Sequence, residues 1–205
     1  MYDSLQCSPT LVKSEQISED VIQHKADAVG AMLNGYRRRP DQALVSSAAS
    51  FIHHGYITEV ERMRLRNIDL SEVAHASALA DVNVVGSVHF YNVTGNIAPV
   101  ISRIKCWMLQ ISEMRLSTAD TAALVQGMKT SVERVQLGGG GPVELNINTL
   151  LTYDGRGHCG KVECWDETRE RYGDQLATWG ESMGWSVERS GPYVVVGPYV
   201  VVERK

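Results

Sequence analysis

The chain has 205 residues, of which 43% are hydrophobic and 21% are charged, a composition typical of a soluble globular protein with one domain or two small ones. Its 20 lysines and arginines stand against 24 aspartates and glutamates, for a net charge of −4, which argues against a nucleic-acid-binding protein. The sequence contains no run of about 18 apolar residues, so it predicts no membrane-spanning helix.

The N-terminal residues and the cysteines indicate a cellular compartment. The first residues have neither a basic start nor an apolar run, so no secretory signal is predicted. The four cysteines, Cys7, Cys106, Cys159 and Cys164, are too few for a disulfide scaffold in a chain of this length. We therefore expect a reduced, cytoplasmic protein.

The first third of the chain predicts a helical hairpin. Residues 1–17 show no hydrophobic period and are predicted to be loose. A helix begins after Ser18, a good N-cap residue, and a second begins after Asp41 and ends at Gly55. The predicted apolar faces are Val21, Ile22, Val29, Met32 and Leu33 in the first helix, and Leu44, Val45, Ala48, Phe51 and Ile52 in the second. Residues 18–55 would thus form an N-terminal cap, with Arg37–Arg39 in a solvated turn between the helices.

A repeated hydrophobic template follows the hairpin. It has apolar residues at positions 0, 3, 5, 8 and 10, and copies begin at Val60, Val85, Cys106, Val132 and Cys159. Positions 3 and 5 alternate as a short strand requires, and helix-like segments separate the copies. These segments are residues 71–83, 96–104, 117–131, 145–153 and 167–183. Trp185 and Val187 are compatible with a degenerate last copy. The pattern predicts a β/α solenoid, in which neighbouring units stack to bury their apolar faces.

Four stretches carry a resemblance to a known family: VERMRLRNIDL (60–70), VGSVHFYNV (85–93), CWMLQISEMRL (106–116) and VERVQL (132–137). They resemble leucine-rich repeats, and the helical connectors resemble the ribonuclease-inhibitor type found in cytosolic immune receptors. The chain departs from that family at position 8, where an asparagine normally joins successive turns. Ile68, Val93, Met114 and Gly140 occupy this position. An ordinary open α/β sheet with helices is the alternative fold.

The expected fold is therefore an α/β protein with a short right-handed solenoid of about five leucine-rich-repeat-like units and a parallel sheet. The solenoid would span residues 56–190. Residues 191–205 contain the sequence GPYVVV twice and predict a C-terminal β strand or hairpin that caps the sheet. Exposed β-prone strands also pair with other chains, so Tyr193–Val202 is a candidate for self-association.

Three patterns in the chain superficially suggest chemistry. Residues 155–161 match G-x-x-x-x-G-K, but the next residue is Val162 and the context predicts a strand, so nucleotide binding is not expected. His158, Cys159 and Cys164 lack the paired spacing of a zinc site, and both cysteines occupy buried template positions. Gly138–Gly141 is interpreted as a flexible loop that replaces the ordered end of one repeat. The sequence thus predicts no catalytic residue, metal or cofactor.

The resemblance implies a non-enzymatic protein-interaction module, of the kind used by innate-immunity or signalling adaptors. Between the buried template positions lie side chains that would line the open face of the sheet and bind another protein. These partner-binding candidates are Arg64, Arg66, His89, Tyr91, Gln110, Ser112, Gln136, Glu163 and Trp165. A small α/β enzyme with a loop-built site and a self-assembling structural protein are the alternatives.

Overall fold

The computed structural model describes residues 18–34 and 41–197. Three predictions lie outside the described residues: the loose segment 1–17, the turn at Arg37–Arg39 and the second PYVVV copy at 198–202. Among the described residues, no helix has the length and apolar character needed to cross a membrane.

The structure combines helices with a mostly parallel sheet. The described α-helices are α1 (Glu19–Asn34), α2 (Gln42–His53), α3 (Ala98–Ile101), α4 (Thr118–Thr130), α5 (Ile147–Leu150) and α6 (Asp166–Ser182). The described strands are β1 (Glu59–Val60), β2 (Met63–Asp69), β3 (Asn83–Thr94), β4 (Lys105–Ser112), β5 (Met114–Arg115), β6 (Val132–Leu137), β7 (Val143–Glu144), β8 (Lys161–Trp165), β9 (Ser186–Ser190) and β10 (Tyr193–Gly197). Two 3₁₀ turns, Leu70–Glu72 and Ala76–Ala80, connect β2 to β3.

The main sheet follows the chain order over most of its width. Strands β2, β3, β4, β6 and β8 are parallel neighbours, and β1 extends the β2 edge by pairing with β3. At the other side β10 runs antiparallel between β8 and β9. The short strands β5 and β7 form a separate parallel pair. The mixed α/β class and the parallel sheet agree with the prediction.

The predicted apolar positions lie in register across the parallel strands. One row joins Met63, Val88, Leu109, Val135 and Val162, and the next joins Leu65, Phe90, Ile111, Leu137 and Cys164. Every side chain in these two rows is at most 1% exposed. They form the core together with the buried residues of the connecting segments, such as Leu79, Ile101, Leu124 and Leu150. These rows are the main apolar contact between the sheet and its helices.

Each of the five units also places a left-handed residue at template position 7. The residues are Asn67, Asn92, Glu113, Gly139 and Asp166, with φ between 49° and 79°. Asparagine, aspartate and glycine tolerate this conformation better than other residues. In the first two units the side chains are linked, since Asn92 Nδ2 donates to Asn67 Oδ1 at 2.9 Å. The left-handed residue lies within β2 and β3 in the first two units, and follows the ends of β4, β6 and β8 in the other three.

The two N-terminal helices pack at the β1–β2 side of the sheet. Asp41 caps α2 as predicted, since its Oδ1 accepts from the Leu44 backbone N–H at 2.8 Å. The predicted face of α1 is partly wrong. Ala26 and Leu33 are buried, whereas Val21 and Met32 are 44% and 40% exposed. The periodicity did not indicate which side of this amphipathic helix would meet the rest of the protein.

Three details of the repeat prediction are also wrong. The second unit begins at Val84, which is 2% exposed, and not at Val85, which is 59% exposed, because an irregularity between Val84 and Ser87 adds a residue to β3. The predicted helix 71–83 is replaced by two 3₁₀ turns, interrupted at His75 with φ 58°. The segment around Val187 is not a further parallel copy, because β9 pairs antiparallel with β10.

The C-terminal segment forms a hairpin at the end of the sheet, as expected, and differs from the alternative of an exposed self-association strand. Its two arms are β9 and the first YVVV copy, and β10 is hydrogen-bonded on both sides. Val194 and Val196 are buried against the core. The described part of Tyr193–Val202 is therefore an interior strand, because its backbone groups are already paired, and β9 forms the edge.

Candidate functional site

The structure brings the nine predicted side chains to one face of the sheet, which we call the open face. One ladder across the strands joins Arg64, His89, Gln110, Gln136 and Glu163, and a second joins Arg66, Tyr91 and Ser112. Trp165 lies two residues beyond Glu163 on β8 and faces the same way, because side chains alternate along a strand. Seven of the nine side chains are half-buried, as expected for a sheet face that no helix of the described segments covers.

Two of the predicted side chains are buried. Ser112 is 0% exposed and Glu163 is 2% exposed. The Ser112 hydroxyl donates to the Gly138 carbonyl at 3.0 Å, and Gly140 lies above it beside the Tyr91 ring. The four-glycine segment therefore packs onto the open face near the ends of the strands. Ser112 and Glu163 position their neighbours and do not present surface to a partner.

Glu163 is the centre of a charged cluster on the open face. Its Oε1 lies 2.5 Å from Arg134 Nη2 and 2.9 Å from Lys161 Nζ, and Oε2 accepts from Trp165 Nε1 at 3.2 Å. Burial alone would raise the pKa of Glu163, but the hydrogen bonds from Arg134 and Lys161 outweigh it, and the pKa is lowered. The carboxylate is ionised and holds three side chains of the face in place.

Aromatic rings are fixed at both sides of this face. The Arg66 guanidinium carbon lies 4.1 Å from the Tyr91 ring centroid, within the range of a cation–π contact. The hydrogen bond of Tyr91 with Glu113 raises the pKa of the phenol. At the other side the rings of Trp165 and Tyr193 lie 4.8 Å apart. Ordered aromatic side chains lose little entropy on binding and suit a protein interface.

His89 is the titratable group in the middle of the face. Burial lowers its pKa to about 4, with further lowering by the charges of Arg64 and Arg66, so the imidazole is neutral at pH 7. Its Nε2 lies 3.4 Å from Ser112 Oγ. Since the Ser112 hydroxyl proton is used by the Gly138 carbonyl, His89 is the donor in this contact. It therefore does not serve as a base for Ser112.

Sequence reasoning missed a third ladder on the same face. Ser87, Met108, Arg134 and Lys161 are joined across β3, β4, β6 and β8, and they occupy template position 2. The predicted residues occupy template positions 4 and 6. Because side chains alternate along a strand, position 2 faces the same way, and extending the pattern by one step would have identified these residues. Trp107 was missed as well, although it is 48% exposed and stands beside Arg134, whose guanidinium carbon lies 5.5 Å from its ring centroid.

The patterns set aside as chemistry occupy structural positions. The glycine-rich segment 155–160 leads into strand β8 and not into a helix. Burial raises the pKa of the Cys159 thiol to about 11 and of Cys106 and Cys164 to about 12, so these free cysteines are protonated and poor nucleophiles. Within residues 18–34 and 41–197, no group of three or more histidine, cysteine or acidic side chains is arranged to hold a metal ion.

Comparison with known proteins adds no family assignment. No family model, curated protein or solved structure matches the chain.

Proposed function

We propose that this protein is a non-enzymatic interaction module that binds another protein on the open face of its sheet. The observation that carries the proposal is the arrangement of the face itself. Three ladders of mostly polar side chains, which include three arginines, Tyr91 and two glutamines, run across the parallel strands. Helices α3 and α4 and the 3₁₀ turns pack beside one another over the other face. Arginine and aromatic side chains contribute most to the energy of protein interfaces.

The proposal includes a finer description of the fold, a divergent solenoid of leucine-rich-repeat-like units. Sequential parallel strands, apolar rows in register and the left-handed residue at position 7 of each unit support it. In the family, an asparagine at position 8 links successive turns. Here the Asn67–Asn92 hydrogen bond makes such a link from position 7. Helices α1 and α2 would then cap one end of the solenoid and the β9–β10 hairpin the other.

By extension of the resemblance, the module would act in the cytoplasm as an innate-immunity or signalling adaptor. The described cysteines are free, which fits a reducing compartment. The proposal requires no cofactor, nucleic acid or membrane.

Affinity capture with matched variants tests the open face. The face variant carries Tyr91→Ala and Gln136→Ala, and the control variant carries Gln126→Ala and Glu170→Ala, which alter exposed side chains of α4 and α6. Trp165 is a poorer choice, because it also holds Glu163 and packs on Tyr193. Denaturation curves establish that both variants are folded.

Proteins retained by the wild type and the control are identified by mass spectrometry, purified and titrated against each variant by calorimetry. We expect binding to the face variant to be at least about tenfold weaker, as for the loss of one interface anchor. Equal affinity for the face variant and the wild type would place the interface elsewhere and contradict the proposal.

A further inference from the structure

A depression in the open face lies beside the irregularity in β3. Gly86 stands where the strand register shifts between Val84 and Ser87, and its backbone N–H donates to the Glu61 carbonyl at 2.9 Å. Arg62 and Arg64 form one wall of the depression, His89 its floor, and Trp107 and Met108 the opposite wall, around a volume of about 320 Å³. Such bulges re-aim side chains and are frequent at binding sites.

The opposite wall is the most exposed apolar part of this face. Trp107 is 48% exposed, and Val85, on the neighbouring strand, is 59% exposed. Both also border the adjoining depression at the start of β3 and β4. The Arg134 guanidinium lies beside the Trp107 ring, 5.5 Å from its centroid, and favours an ordered orientation. An exposed tryptophan held in place is a strong anchor for an apolar side chain of a partner.

The first wall is basic, although the chain as a whole carries a net charge of −4. Arg64 and Arg66 lie on β2, and Arg62 directly precedes this strand. Arg62 makes an ion pair of 3.4 Å with Glu61. The charges of Arg64 and Arg66 add to burial, the larger cause, in lowering the pKa of His89. A guanidinium matches a carboxylate in both charge and shape.

We propose that this depression binds an acidic protein segment in which a carboxylate side chain and a large apolar side chain lie close together. The carboxylate would contact Arg62 and Arg64, and the apolar side chain would pack on Trp107 and Met108. This inference rests on the proposed function and narrows the partner to a stated chemistry. A nucleic acid offers anions as well, but the net negative charge of the chain disfavours a long polyanion.

The test is a selection from a random dodecapeptide phage library on the full-length immobilised protein. Enriched peptides are then synthesised and titrated by fluorescence anisotropy against the wild type, Arg64→Gln and Trp107→Ala. Matched controls are Arg103→Gln and Val21→Ala, which alter an arginine paired with Asp81 and an exposed valine on α1. A single-stranded RNA dodecamer is titrated in parallel.

We expect enrichment of acidic peptides with an aromatic or large aliphatic residue. Arg64→Gln and Trp107→Ala should each weaken their binding about tenfold, and the controls should bind within about twofold of the wild type. Because Trp107 is exposed, Trp107→Ala keeps the test valid even if Arg64→Gln destabilises the fold.

The other outcomes overturn the inference and separate it from the proposed function. The selection could enrich neutral or basic peptides that bind the face variant, Tyr91→Ala with Gln136→Ala, more weakly than the wild type. This result would contradict an acidic partner but would still support binding by the open face. Peptides that bind all variants equally would contradict both proposals. An empty selection, or RNA binding that depends on Arg64 and Trp107, would overturn the acidic peptide as the ligand.

Discussion

At the scale of single residues, the open face depends on polar groups that are buried among their neighbours. Glu163 sits at the centre of the charged cluster with Arg134 and Lys161, and His89 lies neutral between two strands. Both side chains were predicted to contact a partner, but the structure uses Glu163 to order the surface. A buried ionised group needs its partners, because an unpaired charge away from water is costly.

Replacing Glu163 tests this role directly. Glu163→Gln keeps the shape but leaves Arg134 and Lys161 without their anion, so we expect the free energy of unfolding to fall by about 2 kcal/mol, less than for a fully buried pair since both cations are partly exposed. Urea denaturation measures the change. Glu170→Gln, on an exposed position of α6, should change stability by less than about 0.5 kcal/mol. Equal effects of the two substitutions would show that the cluster contributes nothing to the fold.

His89 predicts a pH dependence of stability. Its pKa falls from 6.5 to about 4 on folding, so between these values the unfolded chain binds a proton that the folded chain does not. The contribution of neutral His89 to the free energy of unfolding is therefore complete above about pH 6.5. It is lost as the pH falls toward 4. Solvent screening of this half-buried group limits the loss to about 1–2 kcal/mol.

Denaturation curves at pH 7, 6, 5 and 4 measure this loss. His89→Gln should be less sensitive to pH than the wild type over this window, whereas Gln110→Ala, its neighbour in the same ladder, should keep the wild-type slope. Some carboxylates also have a lowered pKa, among them Glu163, Glu144 and Asp69. Their stabilising contributions are lost as the pH falls through their lowered pKa values. They are present in all three proteins, so they cancel in the comparison. Parallel pH curves for the wild type and His89→Gln would contradict the assignment.

At the scale of elements, the irregularity in β3 distinguishes the second unit from the others. The extra residue turns Val85 outward while Val84 stays in the core row with Val60 and Cys106. A Cβ added at Gly86 would lie 2.9 Å from the Glu61 carbonyl oxygen, closer than nonbonded carbon and oxygen atoms tolerate. The glycine is therefore required by the close approach of β3 to the segment between β1 and β2.

Gly86→Ala should consequently destabilise the protein by about 1–3 kcal/mol, the range for overpacking. Thermal or urea unfolding measures this value. Gly160→Ala is the matched control, because an added Cβ there has no heavy atom within 4 Å. If Gly86→Ala were as stable as Gly160→Ala, β3 would shift to accommodate the methyl group, and Trp107 fluorescence would be expected to change instead.

At the scale of the whole molecule, the antiparallel hairpin completes the sheet. Strand β10 pairs with β8 on one side and with β9 on the other. Helix α6 packs against β10, with Gly180 close to Val196. A chain shortened to end at Gly191 would lose β10, leaving β8 unpaired on one side and β9 without its partner. A shortened chain ending at Gly197 would keep every described strand.

We expect the chain ending at Gly191 to unfold at markedly lower urea concentration and to aggregate, since it exposes a sheet edge and the core beside it. The chain ending at Gly197 should keep the cooperative unfolding of the full chain. Light scattering and urea denaturation report the two properties. If the chain ending at Gly197 differs in oligomeric state from the full chain, self-association through the second YVVV copy is supported. If the two have the same oligomeric state, that alternative is excluded.

The parts of the fold that depend on local hydrophobic period could be predicted from the sequence. Apolar residues at Met63, Leu65, Leu109 and Ile111 recur with the spacing of a buried strand, and pleating sends the residues between them to the opposite face. For this reason the two core rows and the common face of the predicted side chains could be read from the sequence. The Asp41 cap was predictable too, since it involves neighbouring residues only.

Features that depend on contacts between distant segments could not be predicted from the sequence and are set by the folded structure. The extra residue at Gly86, the burial of Glu163 and the pairing of β10 between β8 and β9 each result from an approach of strands far apart in the chain. Hydrophobic period cannot distinguish Val84 from Val85, because either residue satisfies the pattern until β1 and β4 fix the register. The depression beside Trp107 arises from that choice of register, which is why the sequence pattern did not reveal it.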